Sequence, residues 1–174
     1  MNLYLLRHGI AVDASQPDIG QDAERPLTPK GKRRLRAIAR AIGTLKPAID
    51  VIFSSPYVRA KETAEIVGNV LNRRKHLNFT DALTPGGNPR LLIQQLNDWR
   101  PKPKSILLVG HEPYLSKLIA LLTSGNTSME IELKKGGLCQ LEAGTLRCGR
   151  CATLVSLLAP RHLVLMTGKP TSAS

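Results

Sequence analysis

Residues 1–11, MNLYLLRHGIA, contain an apolar run that stops abruptly at Arg7, His8 and Gly9. A short apolar run followed by turn-type residues is typical of a buried β-strand, which we predict for residues 2–7. Such an ending fits a strand that enters a polar turn. It also fits a reactive group presented at the carboxyl end of a sheet, with Gly9 leaving space for a bound group. The tripeptide alone does not distinguish these interpretations, so the rest of the chain decides between them.

Strand patterns alternate with amphipathic helix patterns along the chain. The predicted strands are 2–7, 50–55, 77–79, 105–111, 137–143 and 152–160, and the predicted helices lie in 27–45, 56–72, 89–98 and 113–124. Thr28 is suited to cap the first helix, and Pro29, Pro56 and Pro113 are suited to begin helices. This alternation predicts an α/β fold, a three-layer α/β/α sandwich. Its sheet is expected to have about five to six mostly parallel strands and one antiparallel element.

Length and composition indicate one globular domain. The chain has 174 residues, of which 42% are hydrophobic, and this is enough to bury a core without disulfides or metal. We predict a single domain over residues 1–165 and a flexible tail over 166–174. The sequence lacks the roughly 18 consecutive apolar residues of a membrane span and the pattern of a signal peptide, so we expect a cytoplasmic protein that does not bind membranes.

The chain is strongly basic, with a formal net charge of +12 and clusters of Lys and Arg in 30–40, 72–76 and 99–104. A positive field raises encounter rates with anionic partners, although a solvated helix face is the commoner explanation of any single cluster. Aromatic residues are only 3% of the chain, which leaves no stacking platform for nucleic acid. We therefore expect a phosphorylated protein, an acidic one included, or a small phosphorylated molecule as partner, and no nucleic acid.

The three cysteines are Cys139, Cys148 and Cys151. An odd number favours reduced thiols over a disulfide framework. The pair Cys148 and Cys151 has a C-x-x-C spacing, but a zinc site needs about four ligands and only Cys139 and the distant His162 could complete it. We expect these residues to be structural and the protein to hold no metal and no cofactor.

Three predicted strands end in polar residues: Arg7 and His8, then Ser54 and Ser55, then Gly110 and His111. In such sheets, ligands bind just beyond the carboxyl ends of the strands. Arg59 falls in the first turn of the next helix, from which its side chain can reach the same edge.

These side chains together would form a pocket for an anion with an imidazole inside it. Arginine presents a planar set of donors that matches phosphate oxygens. A neutral imidazole is a competent nucleophile toward phosphorus. Phosphoryl transfer also needs positively charged groups that stabilise the negative charge on the three equatorial oxygens. Arg7, Arg59 and a protonated His111 could supply that charge, with His8 as the nucleophile. Hydrolysis through a phosphohistidine intermediate fits these residues best.

Four segments resemble the histidine phosphatase superfamily, whose members are phosphoglycerate mutase-like. They are LLRHGIA, ERPLTPKG, SSPYVRAKETA and LLVGHEP, they occur in the family order, and they lie within residues 3–113. The resemblance implies that His8 is the phosphorylated nucleophile and that Arg7, Arg59 and His111 hold the phosphoryl group. The short chain and the RPLT and LTPGG segments look most like the SixA branch, whose members remove phosphate from histidine on signalling proteins.

One departure from the larger members of the superfamily concerns the general acid. Those members use a carboxylate near the third strand, where this chain has NFTDALTPGG with Asp81 and no glutamate. We expect a turn role for Asp81 more readily than an acid role. The missing acid favours P–N substrates, because a leaving imidazole can take a proton on its remote nitrogen. Ion pairs are expected for Glu62 and Glu65, and a helix-start role is expected for Glu112.

Three functions remain open at this point. The first is a metal-independent phosphatase acting on protein phosphohistidine, with an open pocket because no long insertion follows Arg59 or precedes Leu83. The second is a small-molecule phosphomonoesterase of the same superfamily. The third is a phosphate-binding module without turnover, which the presence of every motif residue disfavours.

Overall fold

The computed structural model describes residues 1–15 and 20–167. The described residues form six strands and five α-helices. The strands are β1 (Asn2–Arg7), β2 (Val51–Ser54), β3 (Leu77–Phe79), β4 (Ser105–Gly110), β5 (Leu138–Ala143) and β6 (Ala152–Leu158), and the helices are α1 (Pro29–Thr44), α2 (Val58–Val70), α3 (Pro89–Asp98), α4 (Tyr114–Ser124) and α5 (Pro160–Leu165).

The strands form one sheet in the order β3-β2-β4-β1-β5-β6. The first four strands in this order are parallel, and β5 is antiparallel to both β1 and β6. The predicted α/β fold, with a mostly parallel six-stranded sheet and one antiparallel element, is confirmed. Strands β5 and β6 form a hairpin, because they pair antiparallel across the turn that carries Cys148 and Cys151.

Each face of the sheet buries its own apolar core, because successive strand residues point to opposite faces. Leu3 and Leu5 of β1 belong to the core that includes residues of α3 and α4. Tyr4 and Leu6 belong to the core that includes residues of α1, α2 and α5. Helices on both faces make the molecule a three-layer sandwich, as predicted.

Helix α1 begins as predicted, with the Thr28 hydroxyl accepting a hydrogen bond from the Gly31 amide and Pro29 in the first position. Two other predicted starts are wrong by one or two residues. Helix α2 begins at Val58, and Pro56 lies in the turn before it. The hydroxyl of Ser55 accepts the Tyr57 amide in that turn, and this local bond competes with an earlier helical turn.

Helix α4 begins at Tyr114, immediately after Pro113. Helix α5 was not predicted, although Pro160 begins it, because its six residues are too few for a clear periodic pattern. The assignment of residues 1–165 to one domain stays a prediction. Most of the predicted tail, residues 168–174, lies outside the described residues. Residues 16–19 also lie outside them, within the segment 10–26 that is rich in Asp, Gln, Pro and Gly and that we predict to be a loop. Within the described part of the chain, no helix is long and apolar enough to cross a membrane.

Candidate active site

The carboxyl edge of the sheet brings together the four residues singled out from the sequence. Arg7 is the last residue of β1, His8 follows it, Arg59 lies in the first turn of α2, and His111 follows β4. The Arg59 Nε atom is 3.3 Å from His8 Nε2, and the His8 and His111 ring centroids are 5.1 Å apart. Both histidines and Arg59 are buried. The predicted convergence on one edge is therefore present.

Backbone hydrogen bonds hold Arg7 and His8 in place beyond the end of β1. The His8 amide donates to the Gly110 carbonyl at 3.0 Å. On the other side, the Gly136 amide donates to the carbonyls of Arg7 (3.0 Å) and His8 (3.1 Å). Gly136 has φ of +80°, a conformation that glycine adopts at little cost. The segment before β5 thus fixes the backbone from which the His8 side chain projects.

Gly9 serves packing in this structure. We expected it to leave space for a bound group, but a Cβ atom at this position would lie 2.5 Å from Leu35 Cδ1 and 3.2 Å from Leu27 Cδ2. The expectation is wrong, because the space beside Gly9 is filled by α1 and the segment that leads into it. The Gly9 amide also donates to the Thr63 hydroxyl at 3.1 Å, which links the loop after β1 to α2.

The His8 imidazole has a defined tautomer. Its Nδ1 atom lies 2.7 Å from the Gly9 carbonyl oxygen, which can only accept a hydrogen bond, so Nδ1 carries the proton. Its Nε2 atom faces Arg59 Nε, which can only donate, so Nε2 carries the lone pair. The imidazole is therefore oriented with its nucleophilic nitrogen beside the Arg59 guanidinium.

Both histidines have strongly lowered pKa values. Burial lowers the pKa of His8 to about 3, and His111, Arg59 and Arg7 act in the same direction, against the hydrogen bond with Gly9. Burial lowers the pKa of His111 to about 3 as well, helped by Arg59 and Arg7. His8 is thus neutral at pH 7, as a nucleophile must be.

Without a bound anion His111 is neutral, because burial and two nearby guanidinium groups disfavour a further positive charge on it. A dianionic phosphoryl group beside His111 would raise its pKa, because the opposite charge favours the protonated imidazole. We therefore expect phosphate binding to be accompanied by proton uptake at His111, and the predicted positive charge of His111 stays a prediction for the phosphate-bound site.

The lowered pKa values predict an acid-sensitive fold. Between pH 6.5 and about pH 3, each histidine binds a proton when the chain is unfolded but not when it is folded. Stability therefore decreases as pH falls below 6.5, by up to about 1.4 kcal/mol per pH unit for each histidine. Urea unfolding between pH 7 and pH 5 measures this slope.

The control for this prediction is His111→Gln, which removes one of the two titrating groups and keeps hydrogen-bonding capacity. It should flatten the slope of unfolding free energy against pH by about half in that range, since one of two equal contributions is lost. Equal slopes in both proteins would show that His111 is not buried in its neutral form.

Arg59 is held by a residue that we did not identify from the sequence. Asp22, in a short 3₁₀ turn at Asp22–Glu24, accepts Arg59 NH2 on its Oδ2 atom at 2.7 Å, and its carbonyl accepts Arg59 NH1. The second carboxylate oxygen of Asp22 pairs with Arg25 NH1 at 2.7 Å. Partial burial disfavours the Asp22 carboxylate, but the hydrogen bonds from Arg25 and Arg59 outweigh it and lower its pKa.

Asp22 thus fixes two of the nitrogens of Arg59 while the third faces His8. The Asp22 side chain is 52% exposed, whereas that of Arg59 is 5% exposed. No local pattern could have identified this contact, because Asp22 lies in a polar loop and its partner is 37 residues away. Asp22 and a bound phosphoryl group would also compete for the Arg59 guanidinium, since both are anions.

We expect Asp22→Asn to bind phosphate more tightly and to turn over more slowly. Without the carboxylate, less of the Arg59 charge is neutralised, so the guanidinium attracts phosphate more strongly. The guanidinium is also held less firmly in its place beside His8, which should slow turnover. The interaction is half-exposed, so we expect about a fivefold change in the inhibition constant of phosphate and in kcat. Steady-state kinetics with p-nitrophenyl phosphate and inorganic phosphate as inhibitor measures both.

The matched control is Glu24→Gln, which removes the same charge from the same turn at an exposed residue. It should leave both constants unchanged within about twofold, as expected of an exposed charge. If Glu24→Gln reproduces the effect of Asp22→Asn, the effect comes from overall charge and not from the contact with Arg59.

Arg7 and His111 each leave a buried polar atom without a partner among the described residues: Arg7 Nε and His111 Nδ1. Arg7 NH1 donates to the Leu133 carbonyl at 3.0 Å, and His111 Nε2 lies 2.9 Å from the Ser55 hydroxyl. Buried polar groups are nearly always hydrogen-bonded in folded proteins. Two such atoms at the same edge of the sheet indicate a site that binds a polar ligand.

The remaining acidic candidates lie in other roles. Asp81 is exposed in the 3₁₀ turn Asp81–Leu83, and its carbonyl accepts the Thr84 hydroxyl, as expected for a turn residue. Glu112 accepts the Ser116 amide at the start of α4, which confirms its helix-start role. Glu62 pairs with Lys32, as predicted, and also accepts the Leu27 amide. The prediction of an ion pair for Glu65 is wrong among the described residues.

The cysteines are free thiols: Cys139 is buried, Cys148 is exposed and Cys151 is half-buried. Burial raises the pKa of the Cys139 thiol to about 12, which makes it unreactive. Over residues 1–15 and 20–167, no group of three or more His, Cys, Asp or Glu side chains is arranged to hold a metal ion.

Comparisons with known proteins agree on one family. A model of the histidine phosphatase superfamily (branch 1) matches residues 3–84. The phosphohistidine phosphatase SixA of Escherichia coli is 33% identical over 73% of this chain and 77% of its own. An uncharacterised protein of Picosynechococcus is 34% identical over 84% of this chain and 88% of its own. The structure of the protein histidine phosphatase SixA complexed with tungstate superposes with a TM-score of 0.80, at 27% identity, over 94% of this chain and 99% of that one.

Proposed function

Since the chain belongs to the histidine phosphatase superfamily, in its SixA-like branch, and is a phosphatase, we propose that it removes phosphate from phosphohistidine on proteins through a phosphohistidine intermediate at His8. The observation that carries this proposal is the orientation of His8. Its Nδ1 proton is bound to the Gly9 carbonyl and its Nε2 lone pair faces Arg59. We propose that residues 1–165 form a single catalytic domain.

In the first step, the His8 Nε2 lone pair attacks phosphorus. The new bond is P–Nε2, and the bond from phosphorus to the substrate nitrogen breaks with its electron pair going to that imidazole. Arg7, Arg59 and a His111 protonated on anion binding offset the charge on the three equatorial oxygens. The Gly9 carbonyl stabilises the positive charge that the His8 ring gains when its second nitrogen is phosphorylated.

In the second step, water attacks the phosphorus of phospho-His8. The P–Nε2 bond breaks, its electron pair returns to Nε2, and the proton that the water loses moves to a phosphoryl oxygen and leaves with the inorganic phosphate. His111 then loses the proton that it gained when the anion bound. His8 departs as a neutral imidazole with its proton still on Nδ1, so no separate acid is needed for this leaving group. The protein returns to its starting protonation state.

The leaving group of the first step favours a P–N substrate. Asp81 is exposed in its turn, and Asp22 is engaged by Arg59 and Arg25, so neither is a free acid for an alkoxide. Phosphohistidine needs less help, because a proton on the remote nitrogen of its ring lets it leave neutral. The same reasoning admits phosphate esters with good leaving groups, such as p-nitrophenyl phosphate.

The partner we propose is a protein bearing phosphohistidine, as in signalling by histidine phosphorylation, and the compartment we propose is the cytoplasm. The reduced cysteines fit a reducing compartment. The net charge of +12 would accelerate encounter with an acidic partner protein. These proposals rest on the free cysteines, on the net positive charge and on the similarity to SixA phosphatases.

The decisive experiment compares three substrates: a protein phosphorylated on histidine, p-nitrophenyl phosphate and a panel of sugar phosphates. We expect the first two to be hydrolysed and the sugar phosphates to react at least about 100-fold more slowly, since positioned acid catalysis contributes that much. EDTA should not inhibit, because arginine supplies the positive charge. Efficient turnover of a sugar phosphate would replace the proposal by a small-molecule phosphomonoesterase, and no turnover of any substrate would favour a binding module.

A further inference from the structure

A large cleft lies at the opposite edge of the sheet from His8. It has a volume of about 690 Å³ and is lined by parts of three segments, residues 50–51, 73–78 and 99–104. Residues 50–51 contain the start of β2, residues 73–78 contain the start of β3, and residues 99–104 directly precede β4. Because β4 has six residues that rise about 3.3 Å each, this cleft is roughly 20 Å from the catalytic edge.

The cleft, which we call the basic cleft, is lined by six cationic or titratable basic residues and one carboxylate. The basic residues are Arg73, Lys75, His76, Arg100, Lys102 and Lys104. The carboxylate, Asp50, is engaged by the backbone, because its Oδ2 atom accepts the amides of Lys104 (2.6 Å) and Ser105 (3.0 Å). Within the described residues, none of the six basic side chains forms an ion pair.

The cations stand on two flanks. Arg73 and Lys75 lie on the side of β3, and Lys104 lies on the side of β4, with β2 between them. Arg100 and Lys102 add further positive charge to the cleft, and the single carboxylate of the lining is already engaged by the backbone. An accumulation of cations of this kind attracts an anion with several charges more strongly than a single phosphate.

The floor of the basic cleft is apolar. It includes Val51, Trp99, Pro101 and Pro103. The Trp99 ring is half-buried and packs edge-to-face on Phe53, with ring centroids 4.9 Å apart, so its position is fixed. A flat aromatic group gains both area burial and ring stacking against such a surface. Small-molecule sites commonly combine an apolar lining with a few charged groups in a volume of about 300–1,000 Å³.

We propose that the basic cleft binds a nucleoside polyphosphate, with the base against Trp99 and the prolines and the phosphoryl groups between the two cationic flanks. The site is separate from the catalytic pocket and is independent of the proposed phosphohistidine activity. A bound nucleotide would contact the starts of β2, β3 and β4 at the same time. Its phosphates would offset part of the positive charge of the basic cleft.

Trp99 makes this proposal directly measurable, because it is the only tryptophan in the chain. Titration with ATP should change its fluorescence saturably. Tripolyphosphate should bind more weakly by about tenfold, since it lacks the base, and adenosine should not bind measurably, since it lacks the charges. The absence of a saturable change with ATP at millimolar concentrations would overturn the proposal, and equal affinities for ATP and tripolyphosphate would overturn the base contact.

The matching variant is Lys75→Glu/Lys104→Glu, with one change on each flank. Neither side chain forms a hydrogen bond with the described residues, and both are exposed, so folding should be preserved. ATP affinity should fall by about tenfold or more, while hydrolysis of p-nitrophenyl phosphate should stay at the wild-type rate.

The control carries the same charge change outside the cleft, Arg33→Glu/Arg36→Glu on the exposed side of α1. It should keep ATP affinity within about twofold of the wild type, because distant exposed charges are screened by salt. Equal weakening in both double variants would show that ATP responds only to net charge, and the cleft would not be its site.

Discussion

Replacing His8 with alanine is expected to lower the kcat of phosphohistidine hydrolysis by about 10⁴-fold or more, as removal of a nucleophile does in other enzymes with covalent intermediates. The loss follows from the geometry, because His8 Nε2 carries the lone pair and faces Arg59 Nε at 3.3 Å. Stopped assays with a histidine-phosphorylated protein and with p-nitrophenyl phosphate measure the effect on both leaving groups.

The intermediate itself should be detectable. Rapid quenching of the wild-type protein with labelled substrate should trap phosphate on His8, in a bond that survives alkali and is cleaved by acid. The His8→Ala variant should carry no label. Label on another residue, or residual activity near the wild-type level, would overturn the assignment of His8.

The control for this prediction is His162→Ala, a change of the same type at an exposed histidine. It should retain wild-type activity. Thermal unfolding should accompany the assays, because His8 is buried and its imidazole is hydrogen-bonded to Gly9. A folded His8→Ala protein without activity separates a chemical role from a structural one.

The second large effect is expected at Arg59. Replacing it with methionine keeps most of the side-chain length but removes the charge and all donors. We expect kcat/KM to fall by about 10³-fold, the size found when a preorganised donor to a developing anion is lost. Asp22 retains its pair with Arg25, so the variant leaves no unpaired charge.

Arg59→Met should also change the titration of both histidines. The guanidinium lowers the pKa of His8 and of His111, so both values should rise in the variant. NMR titration of the imidazole carbon-bound protons measures this shift. A merely structural role for Arg59 would lower activity without raising the two pKa values.

Lys61→Met is the matched control, because Lys61 lies on the same helix two residues later and is exposed. Its ammonium group lies 5.7 Å from the centre of the Phe79 ring. The variant should keep kcat/KM within about twofold of the wild type. A comparable loss of activity in both variants would show that helix α2, and not the Arg59 guanidinium, was disturbed.

The sequence was most informative where the signal is local. The apolar run ending at Arg7 gave β1, and Thr28 with Pro29 gave the start of α1, because strand and helix patterns depend on neighbouring residues. Once the strands are parallel, their carboxyl ends share an edge. The meeting of His8 and His111 therefore followed from topology alone, and the rings lie 5.1 Å apart.

Errors arose where neighbours distant in the chain decide the outcome. Gly9 was assigned to the pocket, but the side chains that require a glycine are Leu27 and Leu35, which arrive with α1. The neutral state of His111 without ligand could not be predicted either, because its pKa depends on burial and on Arg59, which lies 52 residues earlier in the chain. Neither burial nor approach distance can be read from the spacing of residues along the chain.

By itself, the sequence determined the order of the six strands and of helices α1 to α4, and it determined the overall positive charge. It also identified the four polar residues that lie at strand ends or in the first turn of a helix. Only the tertiary structure decided what those residues do to each other. It fixed the tautomer of His8 through Gly9 and Arg59. It also placed Asp22 where its carboxylate accepts a hydrogen bond from Arg59. The physical reason is that hydrogen bonds act over about 3 Å and desolvation acts on buried atoms, so both exist only after the chain has folded.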